Sequence, residues 1–154
     1  MTPFDLPLVT QYDPEASKLL GKDHWRVVAP FTYLISDDRH VSIPAGYLTD
    51  GASVPKIFWN IIPPWGIYGQ AAVVHDILCE YLSVVDNGYP VPITRSYCDR
   101  VLHDAMEALE VPIAKRLTIY WFVCAYRVVA NVTEPSTTHL KRRLEAQWRG
   151  EKNV

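Results

Sequence analysis

The sequence predicts an α+β domain, a small antiparallel β-sheet (hairpin) followed by about four helices. Three observations carry this. Residues 25–48 are rich in alternating β-branched and aromatic side chains, with Asp37-Asp38 as a turn between two runs. From residue 66 onward, apolar residues recur at spacings of three and four. The 154 residues suit one domain, and 49% hydrophobic with 21% charged residues is ordinary for a globule.

Taken in order, residues 1–23 carry prolines, charges and scattered apolar residues, and read as an irregular arm. Trp25 to Ser36 reads as a strand, with Pro30 marking either an edge or a break between two short strands. Arg39 to Leu48 returns as a second strand, so residues 24–50 form a hairpin. Asp50-Gly51 then marks a turn. Asp50 has a local reading there, an Asx turn near Ser53, and a functional one.

A central helix is predicted from about Tyr68 to Val84. Asp86-Asn87-Gly88 with Pro90 and Pro92 reads as a loop. Ser96 and Asp99 have the spacing of a capping box, which starts a second helix. Pro112 opens a third helix over about 112–131. Its ten-residue apolar run, Leu117 to Tyr126, is half the length needed to span a bilayer and reads as a core helix. Leu140, Leu144 and Trp148 mark a fourth helix ending near Gly150. Its Lys141, Arg142, Arg143 and Arg149 read as a solvated basic face. Residues 66–150 are thus the helical part of a single domain.

Composition excludes some functions. A net charge of −2 argues against nucleic acid as a partner. Cys79, Cys98 and Cys124 form no C-x-x-C pair and read as buried thiols of a reducing compartment. The N-terminus has no basic and apolar leader, so no signal peptide is expected, and no transmembrane segment is expected. No P-loop, dinucleotide or Gly-x-Ser-x-Gly motif is present.

The chemistry gathers around Ala71-Ala72-Val73-Val74-His75-Asp76-Ile77-Leu78. His75 shares a helical stripe with Ala71, Ala72, Leu78, Cys79 and Leu82, while Asp76 sits about 100° further round. Short connections make the first two helices neighbours, so His75 and Asp76 can meet Asp99 and His103, with Asp50 approaching from the sheet side. Such a cluster can bind a metal, or hold His75 as a general base oriented by Asp99, or both. Each residue also has a plainer reading. His75 is then a core histidine satisfied by one carboxylate, Asp99 a helix-start residue, and His103 an exposed one.

The runs Pro44-Ala45-Gly46-Tyr47-Leu48-Thr49-Asp50-Gly51-Ala52-Ser53-Val54-Pro55, Ala71-Ala72-x-x-His75-Asp76-x-Leu78 and Cys98-Asp99-Arg100-Val101-Leu102 resemble a family of small phage and prophage proteins of unknown function. The resemblance covers roughly residues 30–130, with Tyr47, Cys79, Cys98 and Leu102 departing from the pattern. It implies a phage origin and points to Asp50, His75, Asp76 and Asp99, but it brings no activity. His75-Asp76-Ile77-Leu78-Cys79 with Cys98-Asp99-Arg100 is also similar to the site of secreted phospholipases, whose disulfide framework is missing here. That similarity implies His75 as base, Asp99 as its orienter and Asp76 on calcium. A comparison with His…His-Asp…Asp phosphohydrolases ranks lower, because His24 and His40 fall in β segments.

Two expectations follow. The first is a phage hydrolase acting on host envelope esters or amides, with His75 and Asp99 catalytic and Asp76 and Asp50 on a divalent metal, calcium or zinc. The second is a non-catalytic virion, tail-associated or host-interaction protein whose polar cluster fixes the fold. Its partners are other virion proteins or the host envelope, and its place is the virion or the host cytoplasm.

Overall fold

The computed structural model describes residues 2–51, 65–131 and 139–150. Its N-terminal stretch is not an irregular arm. Strand β1 (Thr10–Tyr12) pairs antiparallel with β2 (Trp25–Val27), and helix α1 (Pro14–Leu20) lies between them in sequence. Asp13 caps α1, accepting from the Ala16 amide at 2.9 Å, and Gly21 closes it at φ 81°. The other Asp13 oxygen accepts two hydrogen bonds from Arg26, at 3.0 and 2.7 Å. A charge pair of this kind leaves no periodicity in the sequence.

Pro30 breaks the predicted first strand in two. β2 belongs to a three-stranded sheet, ordered β1-β2-β5, with β5 at Leu48–Thr49. β3 (Phe31–Leu34) and β4 (Arg39–Ile43) form a hairpin in a second sheet. The single 24–50 hairpin is therefore corrected to a hairpin over residues 31–43, flanked by two strands of another sheet. The loop predicted after the central helix is also a hairpin, β6 (Ser83–Asp86) and β7 (Tyr89–Pro92), giving the order β3-β4-β6-β7. Asn87 and Gly88, at φ 50° and 83°, make the two-residue turn that matches strand twist. Pro90 and Pro92 are tolerated because β7 is an edge strand.

Helix α2 (Gly69–Tyr81) buries Ala71, Ala72, Leu78 and Cys79, as its periodicity predicts, and ends at Leu82 in a left-handed conformation. Helix α3 (Arg95–Ala108) is capped by Thr94, whose hydroxyl accepts from the Tyr97 amide at 3.1 Å. The Ser96–Asp99 capping box is thus corrected, and Asp99 is left to bond elsewhere. Helix α4 (Ile113–Val129) and helix α5 (His139–Trp148) complete the chain. α3 packs between α2 and α4, and the core gathers Phe31, Ile43, Tyr68, Leu78, Leu102 and Met106, among others.

Two helices bury other faces than expected. α4 enters the core by one side only, for Ile119 is its one buried residue and Val123 packs beside it. α5 buries Glu145 and Ala146, while Leu140 and Trp148 are exposed. Its Lys141, assigned to a solvated face, has a side chain only 13% exposed. α5 is turned this way because the surface it meets is polar, offering the Leu48 amide to Glu145 and the Glu80 carboxylate to Lys141. Gly46 has φ 88°, and a Cβ there would lie 2.7 Å from the Trp148 ring, so only glycine lets α5 approach. Among the described residues no helix is long and apolar enough to cross a membrane.

Candidate functional site: two buried polar groups back to back

His75 and Asp76 are adjacent in sequence but serve different clusters, because one residue along α2 turns the side chain by about 100°. His75 faces α3. Its Nε2 donates to Asp99 Oδ1 at 2.8 Å, and the Cys79 sulfur lies 3.5 Å from the same nitrogen. Arg127, from the last turn of α4, donates through Nε to Asp99 Oδ2 at 2.7 Å. Asp99 is 3% exposed and thus joins α2, α3 and α4 through one carboxylate.

The electrostatics follow from this. Burial by itself would lower the His75 pKa, but the Asp99 hydrogen bond, with Cys79 assisting, raises it to about 9. Burial pushes Asp99 up, and the His75 and Arg127 bonds more than reverse it, leaving it below the ordinary carboxylate value. At neutral pH the group is an imidazolium and a guanidinium sharing one carboxylate. Cys79, held beside Cys98 and buried, has its thiol pKa raised and is no nucleophile.

Asp76 faces β5 and α5. Its partners there are the Thr49 hydroxyl and, through charge, Asp50, Lys141 and Glu80. Burial and the Asp50 and Glu80 charges raise its pKa to about 8, against the pull of Lys141 and Thr49. Lys141 Nζ donates to Glu80 Oε1 at 2.7 Å, lies 3.6 Å from Glu145 Oε2 and sits 4.0 Å from the centre of the Tyr47 ring. Glu145 Oε2 also accepts the Leu48 amide at 2.9 Å. Asp50 pairs with Lys22 at the edge of this cluster. Four carboxylates thus stand against two lysines, and this excess negative charge adds to burial, the larger cause, in raising Asp76. The Tyr47 hydroxyl and Glu80 Oε2 are buried without a hydrogen-bond partner among the described residues.

The four sequence-predicted residues therefore fall into two pairs, His75 with Asp99 and Asp76 with Asp50. His103 does not join them. It pairs weakly with Asp104 at 3.5 Å and packs its ring on Tyr120. Among the described residues, three His, Cys, Asp or Glu ligand atoms come within 4.8 Å of one another at half-buried His103 and exposed Asp104 and Glu107, not at Asp76 and Asp50. The all-oxygen donors around Asp76 suit calcium better than zinc. An open groove of about 300 Å³ between β4, β6 and α2 holds none of the four candidates.

Sequence reasoning missed Arg127, Glu80, Lys141 and Glu145. A signal existed for three of them. Glu80 lies four residues after Asp76 on one helix, and Lys141 and Glu145 are i, i+4 on another. Two carboxylates on one buried face demand a buried cation, and α5 carries it. Arg127 had only its position at the end of an apolar run.

Fold and site together define a small α+β protein built round two buried charge clusters. The chain belongs to the family described as "Protein of unknown function (DUF1353)", whose pattern matches residues 25–123. It is 37% identical over 86 residues to the uncharacterized protein y4jT of Sinorhizobium fredii (strain NBRC 101917 / NGR234). That alignment covers 54% of this chain and 23% of the relative, so the chain spans a minor part of that protein's length. No solved structure matches the chain. The matched span holds His75, Asp76, Asp99 and Asp50, whereas Lys141 and Glu145 lie beyond it.

Proposed function

We propose that this is a phage-encoded protein that acts by binding, as a virion, tail-associated or host-interaction component, and that His75–Asp99–Arg127 is a clasp joining three helices. The saturation of Asp99 carries this reading. Both of its oxygens are taken, one by His75 and one by Arg127. A general base must be neutral at working pH, whereas an imidazole with a pKa near 9 is neutral in roughly 1% of molecules at pH 7. The sequence resemblance to phage and prophage proteins supports the origin. His75→Asn tests the reading. The clasp account expects a loss of about 2 kcal/mol in urea unfolding. A fully stable variant would contradict it.

A second reading is favoured by the buried oxygens round Asp76. In it the chain is a metal-assisted hydrolase of host envelope esters or amides, with His75 as base, Asp99 as orienter, and Asp76 and Asp50 on calcium or zinc. It expects either ion, held at 100 times its dissociation constant, to add about 2.7 kcal/mol of stability. That gain should vanish in Asp76→Asn. Unchanged melting with both ions removes this reading.

A further inference from the structure

The sequence makes α4 the most apolar segment of the chain, and among the described residues the fold leaves most of it uncovered. Trp121 is 66% exposed and Val129 87%, and Ile113, Leu117, Ala125 and Val128 stand on the same side of the helix. On a helical wheel these residues span an arc of about 160°. No charged residue falls within that arc. The three charges of α4 are turned elsewhere. Arg127 bonds Asp99, Arg116 lies 3.6 Å from Glu107 of α3, and Lys115 sits over the Tyr68 ring.

We propose that this face of α4 pairs with the same face of a second copy of the chain. Three arguments select that occupant. In a two-fold pair each patch meets itself, so any charge in it would face its own like, and this patch has none. The exposed apolar side chains offer on the order of 700 Å² per copy, close to the roughly 800 Å² that a standard two-protein interface buries on each side. A lipid surface would want lysines or arginines free to meet its headgroups, and here Arg127 and Arg116 are engaged by Asp99 and Glu107 of α3 and Lys115 by the Tyr68 ring. Trp121, near the middle of α4, is the anchor. The pairing is independent of whether His75 is catalytic.

The test is sedimentation velocity on the full chain from ~1 to ~100 μM, where a dissociation constant in the micromolar range populates dimer. Trp121→Glu and, separately, Val128→Glu should each weaken the dimer at least ~100-fold, because each sets a charge within an apolar seam. Both sites are exposed, so far-UV circular dichroism, and melting at concentrations too low for dimer, should stay as in the parent. A chain that remains monomeric at the highest concentration overturns the proposal. So does a dimer that neither variant weakens, since it would lie on another surface. A monomer that binds neutral phospholipid vesicles through Trp121 also overturns it, giving the face to a membrane.

Discussion

Asp99→Ala is expected to cost about 3–5 kcal/mol of unfolding free energy, because it removes the buried acceptor of two charge-assisted hydrogen bonds and leaves a part-buried imidazolium and guanidinium without it. The loss should depend on pH with a defined sign. The folded pKa of His75, about 9, lies above the ordinary histidine value. Its contribution is therefore fully present below about pH 6.5 and is lost as pH rises through 9. Asp99 is shifted the other way. Its contribution is present above the ordinary carboxylate range and is lost as pH falls through the depressed folded value. The clasp is thus strongest from about pH 5 to 7. Urea midpoints of the two proteins at pH 6 and pH 9.5 should differ widely at the first and less at the second, where the His75 contribution is gone and the Arg127–Asp99 bond remains. A pH-independent gap would mean that His75 titrates alike in the folded and unfolded chains.

Lys141→Met is expected to have a comparable effect, about 3–5 kcal/mol, with a different pH signature. Glu80 and Glu145 are almost fully buried, and Lys141 is the cation between them. Burial already holds the Glu145 pKa above its ordinary value, and Lys141 opposes this. Without the lysine, Asp76 and Glu145 must take up protons or stay charged and unpaired. A carboxyl whose folded pKa is raised loses stability as pH climbs from its unfolded to its folded value. The variant should therefore lose more at pH 8 than at pH 5. It should also loosen α5, which hydrogen exchange would report as faster exchange of the Leu48 amide, the donor to Glu145. Equal losses at both pH values would sink the idea that Lys141 neutralises this cluster.

How much of this could be read from the chain depends on what each feature rests on. The α2 stripe and the His75–Asp99 pairing follow from helical period and a short connection, both local, and both are legible. The assignment of Asp99 to a cap failed because Thr94 stood two residues ahead of Ser96 with the same hydroxyl and took the role. The β6–β7 hairpin had its signal in Asn87-Gly88, but the prolines spoke against a strand until the edge position was known. α5 misled most. Leu140, Leu144 and Trp148 give a clean apolar stripe, yet the helix buries Lys141 and Glu145, because its docking surface is charged. Nothing within residues 139–150 encodes that surface. It is assembled from β5 and α2, some 60 to 100 positions earlier.

The most direct measurement of the central claim is the titration of His75 by NMR, reading its ring ¹⁵N or ¹³C shifts in parent protein against His75→Asn for assignment. The clasp account predicts a pKa near 9, with the ring protonated on both nitrogens at pH 7. A midpoint at or below about 6.5 would leave the imidazole neutral and available as a base at physiological pH, and would contradict the account.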